Sequence, residues 1–389
     1  MATEASPAVG IGDLLKRVDA GEPLVLLDVR NDEDFARWKL EGRRPLKTVH
    51  VPYFDFLEDE ERALSLLPRD REIVVICASG DSSAMVADLL DEKGLAARNV
   101  EGGMVAYGAH LSPVEVPLAP EDEGRFEIWQ VNRRGKGCLS YVVRAGAEAI
   151  VVDPSRDVSW YESFLQKLGA RLVQVLDTHV HADHVSGGPE LAKRQGVPYF
   201  VAAGGDFELR KTVTELADGA EIPLGGERGV RVEVQAVKTP GHTPGSTSYL
   251  VGGKYLFSGD TLFIQSVGRP DLGGQVVPWG KSLFHTLRER IAALPGDTVI
   301  LPAHYADVSE IGPGGVVSGR LRDLRTSVPE LRIATEEEFV EAMRRGVTEP
   351  PAAYADIIRV NLGALEAPPE KIAEWELGKN ECAAKGRKH

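Results

Sequence analysis

Cysteine is scarce in these 389 residues: Cys77, Cys138 and Cys382 lie far apart and are odd in number. That excludes a disulfide framework and points to a reducing compartment. Basic residues are outnumbered, 45 Lys and Arg against 59 Asp and Glu, for a formal net charge of −14. The deficit removes the positive footprint of a nucleic-acid binder and offers nothing to an anionic membrane. No apolar run reaches the roughly 20 residues needed to span a bilayer. Met1 to Gly10 lacks the basic start and apolar stretch of a secretory signal. The expectation is a soluble, cytoplasmic protein with small-molecule partners, no nucleic acid and no membrane; a homo-oligomer is left open.

What remains is ordinary globular composition, 43% apolar and 27% charged, in a chain long enough for two or three cores. Short apolar runs at Leu24–Val29 and Ile73–Ile76 alternate with helical spacing at Gly12–Val18 and Ala84–Glu92, the pattern of a parallel sheet covered on both faces. Composition breaks over Leu111–Glu123, rich in Pro and acids, and a connector is expected there. Beyond it, strands are expected at Phe126–Gln130, Leu139–Arg144, Ala149–Val152, Arg171–Asp177, Val230–Lys238, Ser248–Val251, Tyr255–Ser258 and Thr298–Leu301. Helices are expected at Ser159–Leu168, at Lys281–Leu294 and through the charged tail.

Five of the nine histidines fall in loops at strand ends. Three of them, with an aspartate, crowd into His179-Val180-His181-Ala182-Asp183-His184; the others are His242, in Pro240-Gly241-His242-Thr243-Pro244-Gly245, and His304, in Pro302-Ala303-His304. Asp260 follows the strand ending at Ser258. Strand-end loops can aim several side chains at one point, and neutral imidazole is the commonest protein metal ligand. This set, in this order, resembles the metallo-β-lactamase superfamily over roughly 126–321.

Two chemistries on that fold compete. In glyoxalase-II-like thioesterases the resemblance implies two zinc ions, one on His179, His181 and His242, the other on Asp183, His184 and His304, with Asp260 bridging. In persulfide dioxygenases of the ETHE-like family it implies one Fe(II) on His179, His242 and Asp260, with coordination positions left for O₂ and a substrate sulfur. His181, Asp183, His184 and His304 would then support the ligands by hydrogen bonds. Gly268-Arg269-Pro270-Asp271-Leu272 and Gly137-Cys138-Leu139-Ser140-Tyr141 resemble stretches of the dioxygenases and favour that reading. Arg269 would orient the site or substrate, and Asp271 would pair with it. The implied reaction converts a small persulfide, such as glutathione persulfide, and O₂ to thiol and sulfite.

A second centre is expected at Cys77, which ends an apolar strand and opens the loop Ala78-Ser79-Gly80-Asp81-Ser82-Ser83 ahead of a helix. Unpaired N–H groups at a helix start stabilise a thiolate or persulfide. The loop resembles that of rhodaneses, as do Leu27-Asp28-Val29-Arg30 and Val100-Glu101-Gly102-Gly103-Met104. Where many rhodaneses carry Arg, this chain has Ser82, with acidic Asp81 beside it, which weakens the case for anionic donors such as thiosulfate. Cys138 reads as a core residue and Cys382 as an exposed bystander.

The resulting expectation is an α/β protein in four parts: a rhodanese-like parallel-sheet domain at 8–115, a connector at 116–124, an αββα metallo-β-lactamase-fold sandwich at 125–320 and a helical extension at 321–389. It would be a persulfide dioxygenase with a sulfurtransferase domain handling persulfide, sulfite or thiosulfate. A binuclear thioester hydrolase, or a sulfur carrier serving a partner protein, are the alternatives.

Overall fold

A computed structural model of the chain describes residues 7–202, 204, 215–226, 231–346 and 349–384. Val230 and 385–389, which belong to an expected strand and to the expected C-terminal extension, lie outside the described residues. The chain divides into two compact units, one built on Met1–Ser112 with Arg133–Lys136 and Leu377–Lys379, the other on the remainder.

The first unit has a five-stranded sheet in the order Ala8–Val9, Ala97–Val100, Ile73–Ile76, Val25–Asp28, Thr48–His50, with every pairing parallel. Val25–Asp28 and Ile73–Ile76 are buried along their whole length, which is why they read as unbroken apolar runs rather than alternating ones. Leu26, Val74 and Ile76 pack with Leu14, Leu15 and Tyr107 in one core; Leu27, Ile73 and Val75 pack with Val86, Ala87 and Leu90 in another. Helices therefore cover both faces.

The second unit is a sandwich of two six-stranded sheets. One runs Tyr199–Phe200, Arg171–Leu176, Glu148–Val152, Cys138–Ala145, Glu127–Arg133, Ser112–Glu115. The other runs Glu221–Gly225, Arg231–Lys238, Thr247–Val251, Tyr255–Gly259, Val299–Pro302, Gly319–Arg320. Their inner faces share one core, in which Tyr141 stacks on Phe257 at 4.4 Å between centroids. Helices outside the second sheet bury Leu283, Leu287 and Phe339 against Leu256 and Ile300, and Val158–Leu168 and Gly188–Gln195 flank Arg171–Leu176. Helices outside two facing sheets make the expected αββα order.

Several local expectations change. Leu111–Glu123 is not wholly a connector, since Ser112–Glu115 forms the edge strand of a sheet. The helix after Cys77 begins at Asp81, because Gly80, at φ 105°, turns the chain straight into it. The helix expected at Lys281–Leu294 is Val276–His285 continued by a π-helical turn, Thr286–Ile291.

Candidate metal centre and cysteine loop

In the second unit, Arg231–Lys238 and Tyr255–Gly259 each pair antiparallel with Thr247–Val251, so the two run the same way; Val299–Pro302 is parallel to the latter. The ends of all three therefore lie at one edge of the sheet, and His242, Asp260 and His304 follow directly from them. Thr247 N donates to Thr178 O (2.8 Å), which ties in the loop carrying His179. Gly268 passes so close that a Cβ there would collide with Asp260 O, so the opening glycine of the Gly268–Leu272 motif is needed for close approach.

All seven candidate residues are buried. His179 Nε2 and His242 Nε2 stand 3.6 and 3.4 Å from Asp260 Oδ2, and none of these three atoms has a hydrogen-bond partner. His181 Nδ1 is likewise without one. An unmet buried donor or acceptor costs about 1–3 kcal/mol, and three together approach the ~5–15 kcal/mol stability of a whole domain. Donors about 2 Å from one ion keep this sort of spacing, so the three residues fit a metal. Burial, ahead of neighbouring charges, holds His179 and His242 below the usual imidazole range and keeps them neutral for ligation. Burial would raise Asp260, but His304 and His179 outweigh it and hold the carboxyl below its ordinary value.

The supporting bonds are distinct for each ligand. His242 Nδ1 bonds the Arg269 carbonyl at 2.9 Å, while the Arg269 guanidinium is clamped by Asp271 at 2.8 and 2.6 Å. His179 Nδ1 meets Thr178 Oγ1 at 2.9 Å. His304 Nδ1 binds Asp260 Oδ1 (2.6 Å) and its Nε2 binds Asp183 Oδ2 (3.1 Å). Burial opposes charge on His304, yet the two carboxylates prevail and raise it well above the usual range. Asp183 Oδ1 faces His184 Nδ1 (3.1 Å), and Cys138 donates to Asp183 Oδ2 (3.1 Å). Cys138 is thus buried but bonded within this cluster, more than a packing residue.

Sequence reasoning missed three contributors. Asp153, at φ 52°, accepts from Thr178 N (2.6 Å) and holds His181 Nε2 (3.1 Å); its only signal is an acid closing the apolar run 149–152. Asn361 donates to the His181 and His184 carbonyls (2.8 and 2.9 Å) and accepts from Ser186 N (3.0 Å). Cys382, expected to be exposed, is completely buried, with its thiol grouped with Asp260 and His304. The reason is that residues 382–384 run alongside 267–269: Arg269 N donates to Cys382 O (3.0 Å), and Ala384 N to Val267 O (2.9 Å).

In the first unit, Cys77 Sγ accepts from Gly80 N (3.0 Å) and Ser83 Oγ (3.1 Å). Met104 N and Val105 N donate to the Cys77 and Ala78 carbonyls. Gly103, at φ 54°, presses so closely on Cys77 O and Ala78 O that a Cβ would collide with both. Ala78, Ser79 and Asp81 are exposed, Ser82 is half-buried, and Ser79 Oγ donates to Asp81 Oδ2 (2.9 Å). Arg30 is buried and pairs with Asp28 at 2.7 Å.

A sequence profile of the rhodanese-like domain matches residues 11–110, and one of the metallo-beta-lactamase superfamily matches 133–304. Human persulfide dioxygenase ETHE1, mitochondrial, is 30% identical over 202 residues, covering 51% of this chain and 72% of that protein. The chain belongs to the ETHE1 persulfide dioxygenase family. Other relatives include the hydroxyacylglutathione hydrolase of Acidiphilium cryptum, 34% identical over 170 residues, 44% of this chain and 65% of its own. The crystal structure of ETHE1 from Myxococcus xanthus shares the family's fold with this chain at 24% identity, a TM-score of 0.51, and coverage of 61% of this chain and 98% of that one. Among the described residues no helix is long and apolar enough to cross a membrane.

Proposed function

We propose that the second unit is a persulfide dioxygenase with one Fe(II) on His179, His242 and Asp260, converting R–S–SH, O₂ and H₂O to R–SH and sulfurous acid. The observation that carries this is the contrast between two donor sets. His179 Nε2, His242 Nε2 and Asp260 Oδ2 have no protein partner, whereas both oxygens of Asp183 and both nitrogens of His304 are bonded to each other or to neighbours. A second ion would have to displace that network. Iron held by two imidazoles and a carboxylate supplies the redox chemistry between O₂ and sulfane sulfur, which zinc does not. Around it, the Arg269 carbonyl and Thr178 orient the imidazoles and His304 fixes Asp260, while His181 Nδ1, which has no partner, would be free to hold a water.

The rhodanese-like unit is proposed to carry sulfane sulfur on Cys77, taking it from the persulfide that the first reaction uses and releasing the parent thiol, then passing it to a thiol, giving a persulfide, or to the sulfite that the first reaction releases, giving thiosulfate. Its support is the Gly80 and Ser83 cradle around the thiol. A cytoplasmic location belongs to the same proposal, supported by three unpaired cysteines.

Anaerobic purification followed by metal counting and an oxygen-electrode assay tests the reading. About one iron per chain, with O₂ consumed on adding glutathione persulfide, is the expected result. Two zincs per chain and thioester hydrolysis without O₂ uptake would replace it with the hydrolase.

A further inference from the structure

Outside the second sheet, the helix Val276–His285 passes into the π-helical turn Thr286–Ile291, where Ala292 N bonds Leu287 O five residues back (3.1 Å). Such widened turns are rare, and they often mark functional sites. Here Phe284, Leu287 and Ile291 join Leu331 and Phe339 around a cavity of about 190 Å³. Arg288, Arg325 and Glu330 bring charge to the same lining, which includes no candidate metal ligand and none of the cysteine loop.

A carboxylate in apolar surroundings needs a counterion or hydrogen bonds. Glu330 is only 9% exposed, and its Oε2 is buried with no hydrogen-bond partner. Arg325 Nε is likewise buried and unbonded. The two arginines turn to carbonyls instead. Arg325 directs an Nη to Ala292 O and Leu294 O (2.9 Å each), and Arg288 directs one to Ile333 O while lying over the Phe284 ring. Burial pushes the Glu330 carboxyl above its usual range, as expected of an acid with no cation against it. One cavity thus brings together an unmet acceptor, an unmet donor and apolar walls.

We infer that this cavity binds a free α-amino acid with an apolar side chain of about the size of leucine or methionine. Its ammonium meets Glu330, its carboxylate meets Arg325 and Arg288, and its side chain lies among the leucines and phenylalanines. Volume sets the upper limit: a cavity of about 150 Å³ takes a benzene ring, and drug-sized ligands occupy about 300 Å³ or more, so one amino acid fits and a peptide does not. A simple acid would leave Glu330 unmet, and a simple amine would leave Arg325 unmet. Only the zwitterion satisfies both. The site goes beyond the dioxygenase reading and does not depend on it.

Calorimetric titration of the full chain with L-leucine and with L-methionine tests this. The tighter ligand of the two is then set against its deaminated and decarboxylated forms, which for leucine are 4-methylpentanoate and 3-methylbutylamine. The amino acid should bind saturably and each truncated form at least about tenfold more weakly, since each leaves one buried group unpaired. Glu330→Gln should weaken the amino acid by at least about tenfold and leave the deaminated form within about twofold, because only the ammonium uses that carboxylate. Ala292→Phe, at an exposed position on the lining, should fill the cavity and abolish binding, with thermal melting reporting that both variants are folded. Binding of neither amino acid to the wild type, equal affinity for the truncated forms, or undiminished binding by either folded variant overturns the site. No readout uses oxygen uptake, so failure here leaves the dioxygenase reading standing.

Discussion

Asp260 divides its two oxygens between different duties: Oδ1 takes the short bond from His304, and Oδ2 faces His179 and His242 with no partner. On the one-ion reading His304 would act on the metal through Asp260, whereas on the two-ion reading it would be a ligand itself, so His304→Ala separates the two. With one ion, affinity should fall about 10–100-fold while stoichiometry stays at one, because only a supporting bond is lost. With two ions, the count itself would drop. Metal titration of the purified variant reads both quantities. Cys77 gives the matching residue-level prediction for the other unit. Cys77→Ser should abolish sulfur transfer from persulfide to sulfite or thiol yet leave oxygen consumption with glutathione persulfide within about twofold, since the thiol is needed only for exchange. Loss of both activities together would show that the assumed division of labour is wrong.

Among elements, the two sites are held by different means. The cysteine loop is held by backbone proximity: Gly103 opens a helix and brings Met104 N and Val105 N onto the loop carbonyls. Gly103→Ala adds a Cβ where two carbonyls already stand, at a positive φ, and should cost about 1–3 kcal/mol or more. A sulfurtransferase assay beside an oxygen electrode should find the first activity lost and the second kept. The metal loop is instead held by a helix from the C-terminal region, where one carboxamide bonds three backbone groups. Asn361→Ala leaves two carbonyls and an N–H to find other partners, a cost of about 1–3 kcal/mol. Iron affinity should weaken and kcat should fall together, both visible in metal-saturation curves of activity. Unaltered curves would mean that the helix is only packed there.

For the whole molecule, each unit has its own core, Leu14, Leu26 and Val74 in one and Tyr141, Val234 and Phe257 in the other, so each is expected to melt on its own terms. Among the described residues, the unmet atoms of His179, His242 and Asp260 that a metal would satisfy lie in the second unit. Iron at a hundredfold excess over its dissociation constant adds about 2.7 kcal/mol to the state that binds it. At about 2–4 °C per kcal/mol that is a rise of roughly 5–10 °C. Anaerobic calorimetry should show two transitions, one moving with iron and returning with a chelator, the other fixed; a single transition moving as a whole would contradict this. The division was legible in the sequence because buried parallel strands, a His-rich strand-end loop and a cysteine ahead of a helix are local patterns. His179, His242, Asp260 and His304 could be named for the same reason, each sitting in its own short motif. Asp153, Asn361 and Cys382 could not, since Asn361 reaches His181 across 180 residues and no short-range periodicity encodes such a contact. The sequence by itself determined which chemistry-bearing groups exist and at which strand ends they stand. Only the tertiary structure decided which of their atoms are consumed by one another and which are left bare, because a hydrogen bond depends on position and not on order along the chain.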